Sequence, residues 1–192
     1  PTDAPRPAVQ QFGGDSETFA LPAPLADALR KLARSEGVTM YVLLLAAWAA
    51  LLHRYTGQED VLVGSPMACR TKVELEGVVG YFVNPVCLRL RPTAGTKFSG
   101  LLQLTRQTVL GAIMHQDYPF SLLVERLLAD APRDTSRPPL FQTMFTLEKS
   151  LDRAGGGDGG DLTAFVLNQP GAPLEVGELR LRSRTLKQRI AQ

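Results

Sequence analysis

Cysteine is nearly missing from this chain: Cys69 and Cys87 are the only thiols in 192 residues. Two thiols cannot build a disulfide framework, and no CxxC pair is present to hold zinc. A reducing cytoplasm is therefore the expected setting. Histidine is as scarce, with only His53 and His115, and aromatic residues make up 7% of the chain. An excess of one charge is missing too: 21 Lys and Arg against 19 Asp and Glu leave +2. That balance argues against the basic stripe of a nucleic-acid binder. Long apolar runs are also missing. The longest, Met40–Leu52, falls short of the ~17–25 residues a membrane-spanning helix needs, so a buried core helix is expected and no membrane partner. The N-terminus has no apolar leader and no initiator Met; its Pro-rich opening is expected of a segment cut from a longer polypeptide.

What is present is an ordinary globular mixture, 44% hydrophobic and 21% charged, with enough chain for a real core. The 17 glycines and 14 prolines announce long loops. Residues 1–15, with Pro1, Pro5, Pro7 and Gly13-Gly14, read as a linker. A short strand is expected over Glu17–Leu21. Pro24 suits the first position of a helix whose Leu25, Leu29 and Leu32 share one face, and Gly37 suits its C-terminal cap. Thr39 is a good N-cap for a second helix, Met40–Tyr55, apolar all round and so covered on most sides. Val61–Ser65 reads as a buried strand. Phe82–Arg91 alternates, with Phe82, Asn84, Val86, Leu88 and Leu90 on one face. Pro85 puts that strand at an edge or bulges it. Lys97–His115 is a long amphipathic helix with Phe98, Leu101, Leu102, Thr105, Val109 and Ile113 on one side. A short helix follows over Ser121–Asp130. Strands are expected at Leu140–Leu147, Leu162–Leu167 and Glu178–Leu186, and a flexible loop at 152–161. Helices set between strands favour an α/β fold with a mixed sheet flanked by helices.

The search for chemistry finds little. His53 lies at a helix end, where a charged ring is favourable. His115 has Asp117 two residues on, and a His–Asp pair can be catalytic; with no GxSxG nucleophile motif, capping is the expected role. The glycine string 154–161 lacks the GK[ST] ending of a phosphate loop. Arg180, Arg182 and Arg184 alternate as on a charge-protected edge strand. No metal-ligand cluster is spaced for binding. Asn84 interrupts an apolar face and needs partners if buried; a satisfied structural amide and a polar group lining a channel are both open readings.

Four strings in this order carry a resemblance: LVGSPMACR at 62–70, GVVGYFVNPVCLR at 77–89, HQDYPF at 115–120 and RDTSRPPLFQ at 133–142. Together they resemble the later motifs of condensation domains of nonribosomal peptide synthetases. The stretch from Ser35 to Gly64 is similar to the first helices and strand of that family's C-terminal lobe, and residues 1–9 to the linker before it. The resemblance implies one lobe of a coenzyme-A-dependent acyltransferase-like (chloramphenicol acetyltransferase-like) fold, with 1–15 as inter-lobe linker and 16–192 as the C-terminal lobe. It implies that the whole domain joins an acceptor aminoacyl amine to a donor thioester. It implies no bound cofactor, since substrates arrive on phosphopantetheine arms. The implied partners are the N-terminal lobe, donor and acceptor peptidyl carrier domains and an adjacent adenylation domain. The family's HHxxxDG motif is absent from these residues, so no catalytic residue is assigned and the chain alone is expected to be inactive.

By the same resemblance Asn84 and Pro85 are substrate-channel positions, Pro85 standing where the family usually has Thr. Arg70, Arg89, His115, Asp117, Arg137 and Gln142 match structural motif positions that pair loops, cap helices and support the latch between lobes. A severed lobe exposes an apolar face, so homodimerisation of the isolated chain is expected. The alternatives are a lobe of a related cyclisation or epimerisation domain, or a non-catalytic scaffold that binds carrier proteins.

Overall fold

The computed structural model describes residues 5–10, 14, 17–93, 95–132, 134–148, 174–176 and 179–181. The chain falls into two compact units, one of Pro1–Gln11 with Ala20–Thr146, the other of Phe12–Phe19 with Leu147–Gln192.

In the first unit, α1 (Ala23–Ser35) opens behind Pro22 and carries Pro24 in its first turn, where a missing N–H leaves no helical bond unmade. It ends in a Schellman closure. Val38 N–H donates to Ala33 O at 2.9 Å and Gly37 N–H to Arg34 O at 3.2 Å, which requires the left-handed φ of +64° at Gly37. Helix α2 (Met40–Thr56) follows at once, with Thr39 Oγ1 accepting from Val42 N–H at 3.2 Å. Its Val42, Leu43, Leu45, Ala46 and Ala49 are buried. Leu51 and Tyr55 near its end stay exposed, so coverage of this apolar helix is one-sided there. Helix α1 is less covered than its pattern suggests: Leu29 packs on the core, while Leu25 and Leu32 remain exposed.

Strand β1 (Val61–Met67) pairs antiparallel with β2 (Asn84–Leu90) in unbroken register, Val61 opposite Leu90 and Met67 opposite Asn84. Leu88 and Leu90 are buried and Arg89 points out, as alternation requires. The pairing also resolves Pro85. Gly64 donates its N–H to Thr143 O and accepts from Phe145 N–H, each at 2.9 Å, so its polar groups face away from β2. Alternation gives Pro66 the same orientation, and Pro66 lies opposite Pro85. Both ring nitrogens therefore sit outside the β1–β2 ladder. The strand needs no bulge, and among the described residues β2 pairs only with β1.

Helix α3 (Phe98–Met114) packs on α2 and β2, and α4 (Phe120–Leu127) follows after a corner. Leu101, Leu102, Thr105 and Val109 of α3 are buried; Phe98 and Ile113, expected on the same inner side, are exposed. The buried Thr105 hydroxyl is satisfied by Leu101 O at 2.8 Å.

Two expected strands are replaced. Glu17–Leu21 takes no regular structure, and Leu140–Leu147 makes only one parallel bridge, Met144 to Gly64. With β1 and β2 this bridge makes a small mixed sheet under the helices. In the second unit β3 (Leu174–Val176) pairs antiparallel with β4 (Leu179–Leu181). Strand β4 falls in the expected Glu178–Leu186 segment, β3 was not foreseen, and Leu162–Leu167, loop 152–161, Arg182 and Arg184 lie outside the described residues.

Candidate functional site

Some of the motif residues converge at one corner, where the start of β2, the start of the loop after β1, and the turn between α3 and α4 meet. Asn84 is its pin. Its side-chain amide donates to Gln116 O at 2.9 Å and to Tyr118 O at 2.8 Å. Its Oδ1 accepts from Phe120 N–H at 3.0 Å. These are backbone groups that a helix end and a helix start leave without internal partners. One side chain thus closes both ends of the α3–α4 corner onto the sheet. The FVN and HQDYPF strings are far apart in sequence and adjacent here for that reason. Asn84 is half-buried and its amide is committed to the backbone.

A second donor reaches the same carbonyl: Cys69 Sγ lies 3.3 Å from Gln116 O. Cys69 takes a left-handed φ of +49°, uncommon for a residue with a Cβ, and this aims its thiol at the corner. Sequence reasoning passed over Cys69; its place beside Arg70 in the 62–70 string was the available signal. Arg70 holds the loop that leads from there to Asn84. Its guanidinium donates to Leu75 O, to Val78 O at 2.9 Å and to Gly80 O at 3.3 Å, and lies 4.3 Å over the Phe82 ring. A planar fork of donors suits this task, as an ammonium does not.

Behind the corner is an aromatic stack. Phe120 packs on Phe141 at 5.3 Å between centroids, and Phe141 lies on Gly64 so closely that a Cβ there would come within 2.3 Å of the ring. Phe141 is aimed inward by a γ-turn: its N–H donates to Pro139 O at 2.9 Å around Leu140, whose φ is +66°. Tyr41 donates its hydroxyl to the buried Ser65 Oγ at 2.7 Å and meets Phe145 edge-on at 5.4 Å. Burial raises the Tyr41 pKa, with the Ser65 bond opposing. Burial likewise pushes the Cys87 thiol up, against the pull of Arg89.

The histidines are engaged by backbone. His115 Nδ1–H donates to Gly111 O at 2.9 Å at the end of α3; no hydrogen bond joins its ring to the exposed Asp117, so the His–Asp pair expected as an option is not formed. His53 Nδ1–H donates to Gln58 O at 2.7 Å.

The remaining motif residues lie apart from the corner. Arg89 forks onto Asp60, its Nε donating to Oδ1 at 2.9 Å and its Nη2 to Oδ2 at 2.5 Å, and the bond to Arg89 lowers the Asp60 pKa. Arg137 Nε donates to Asp134 at 2.5 Å, and Ser136 donates to the same carboxylate from N–H and Oγ. Led by the Ser136 hydroxyl, these bonds lower Asp134 to about 2. The turn they fix receives the N-terminal segment: Gln10 N–H donates to Thr135 O at 3.0 Å, and Thr135 Oγ1 to Ala8 O at 2.9 Å. Gln142 is exposed and lines an open cavity of about 300 Å³ with Leu52, Asp60, Leu62 and Leu140. That cavity lies at the Val61 end of β1, opposite the end that faces Asn84. Among the described residues no His/Cys/Asp/Glu cluster could hold a metal, and no single helix is long and apolar enough to cross a membrane.

Helices laid on a small mixed sheet, with a motif corner built from backbone clamps, define an α/β fold of the chloramphenicol acetyltransferase-like kind. The family described as Condensation domain matches residues 1–168. The chain is 47% identical over 150 residues to tyrocidine synthase 3 of Brevibacillus parabrevis, covering 78% of this chain and 2% of that protein. Among solved structures, holo-AB3403, a four-domain nonribosomal peptide synthetase bound to AMP and glycine, matches with TM-score 0.82 at 29% identity, over 98% of this chain and 14% of that one. The condensation domain of the monacolin K polyketide synthase matches with TM-score 0.63 at 25% identity, over 96% of this chain and 44% of that one. The chain belongs to the condensation-domain family of nonribosomal peptide synthetases. It spans a small fraction of the length of such synthetases, and less than half of that solved condensation domain.

Proposed function

We propose that these residues are the C-terminal lobe of a peptide-bond-forming condensation domain, with residues 1–15 as the link from the other lobe. The lobe supplies one wall of the channel in which an acceptor aminoacyl-carrier amine attacks a donor acyl- or peptidyl-carrier thioester. The new C–N bond replaces the C–S bond, and the donor carrier leaves as a free phosphopantetheine thiol. The partners are the N-terminal lobe, the two carrier domains and an adenylation domain of one assembly line. Asn84 and Pro85 stand at the channel edge; Arg70, Arg89, His115, Asp117, Arg137 and Gln142 support the wall. Positioning two tethered reactants is itself a large rate factor, and a wall needs rigidity more than acid–base groups.

The observation that carries the reading is the Asn84 clamp, which makes the GYFVN–HQDYPF corner a preorganised surface. The engagement of both histidines by backbone carbonyls supports it. The test is made in the parent synthetase with both carriers loaded, reading the carrier-bound product by mass spectrometry. The unsubstituted parent forms the peptidyl thioester, and His53→Gln and His115→Gln each keep the rate within about twofold. A loss of 10²–10⁴, the share of a general base, at either histidine would overturn the reading, as would a parent that forms no peptide bond.

A further inference from the structure

The turn at 134–137 holds more than itself. Asp134 accepts from Ser136 N–H at 2.9 Å, from Ser136 Oγ at 2.6 Å and from Arg137 Nε at 2.5 Å. A carboxylate that takes the N–H two residues on folds the backbone around the residue between, which here is Thr135. Thr135 grips the N-terminal segment at two points, 127 residues away in sequence: its hydroxyl donates to Ala8 O at 2.9 Å and its carbonyl accepts from Gln10 N–H at 3.0 Å. The bonds straddle Val9, which is 67% exposed, so burial of that side chain does little to hold the segment. Thr135 thus does what one residue of a neighbouring strand would do, with a hydroxyl standing in for an N–H. Pro5 and Pro7, with fixed φ, stiffen the chain just before the grip.

We propose that Thr135 is a positioning residue for peptide-bond formation. It straps the Ala8–Gln10 segment to this lobe and so fixes where the chain arriving from the other lobe meets the channel wall. The proposal rests on the function inferred above, in which residues 1–15 are that link. The ends of a loose link sample a span that grows with the number of free residues. A strap at Ala8–Gln10, behind two prolines, leaves few free joints and narrows the spread of distances between the two walls. Tethered reactants lose rate steeply when their spacing shifts by about 1 Å. Thr135 acts through the link and touches no reacting atom.

The test uses the parent synthetase with both carriers loaded. Thr135→Val keeps the branched bulk and loses the hydroxyl; Thr135→Ser keeps the hydroxyl. Three quantities are read: amide exchange at Gln10, product formation, and the distance distribution between spin labels carried on p-acetylphenylalanine at exposed Arg30 and at an exposed residue of the other lobe. Thr135→Val is expected to quicken exchange at Gln10 by about fivefold, to widen the distance distribution and to slow product formation at least about threefold. Thr135→Ser is expected to restore all three to within about twofold of the parent. Unchanged exchange at Gln10 in Thr135→Val would overturn the strap. Quickened exchange with an unchanged distance distribution, or a loss of rate that Thr135→Ser does not restore, would overturn the positioning role. An unsubstituted parent that forms no product, while the variants still change exchange and distance as expected, counts against the function and not the strap.

Discussion

Replacing Asn84 with alanine removes three hydrogen bonds at once, leaves the Phe120 N–H and the Tyr118 carbonyl to find water at a half-buried corner, and leaves Gln116 O with the Cys69 thiol. Stranded polar groups of this kind cost about 1–3 kcal/mol. Asn84→Asp should cost more near neutral pH: it keeps an acceptor for Phe120 but turns a carboxylate oxygen on two carbonyls. Urea denaturation of the two variants should give that order, and the reverse order would contradict the clamp. Gly64 makes a second residue-scale test. An alanine Cβ would fall 2.3 Å from the Phe141 ring, which is buried and stacked on Phe120, so overpacking of about 1–3 kcal/mol is expected. Phe141→Leu added to Gly64→Ala should restore part of it. Asp134 tests the charge account. Its carboxyl is held at about 2 in the folded chain, below its ordinary range. The stabilisation it brings is therefore complete above that ordinary range and is lost as pH falls toward 2. Carboxyl NMR titration should show the midpoint near 2, with Ser136→Ala raising it more than Arg137→Gln, because the Ser136 hydroxyl is the largest cause.

At the scale of elements, caps and periodic faces were legible in sequence, whereas contacts across long sequence gaps were not. Thr39, Gly37 and the buried side of β2 follow from local chemistry: a hydroxyl placed for an N-terminal N–H, a residue free to take positive φ, and strict alternation. The inner side of α3 was half right, because a helical stripe shows what could be buried and not where the neighbouring element stops; Phe98 and Ile113 lie at its ends. Leu140–Leu147 was misread because Phe141 and Phe145 sit at strand-like spacing, while Phe141 is buried by its close approach to Gly64, Phe145 packs on Tyr41, and a single parallel bridge joins the segment to β1. Asn84 was visible as an anomaly on an apolar face, but its partners lie 32 to 36 residues away and no local pattern names them. Among the described residues, Arg70 supplies the side-chain hydrogen bonds to the carbonyls of the 71–83 loop. Arg70→Lys cannot fork, so amide exchange at Val78, whose N–H bonds Leu75 O at 3.3 Å, should quicken by about tenfold. Unchanged protection would show that the loop holds itself.

At the scale of the molecule, the four motif strings form one clamped corner and a set of separate supports. Arg70 and the segments around Asn84 and His115–Phe120 meet; Arg89, Arg137 and Gln142 brace other parts of the same unit. The fold was legible as helices over a mixed sheet, and the family was legible from motifs whose order no local physics explains. What the sequence could not give was the division of labour at the corner, where the Cys69 and Asn84 side chains share the Gln116 carbonyl and Asn84 alone holds that of Tyr118. The proposed function makes this chain a channel wall whose reacting groups lie elsewhere. It is tested most directly by incubating the 192-residue chain alone with a donor-loaded and an acceptor-loaded carrier protein and measuring dipeptidyl thioester by mass spectrometry. The account predicts product no faster than the spontaneous background, with the parent synthetase well above it under the same conditions. Peptide-bond formation by the isolated chain at a rate near the parent's would contradict it.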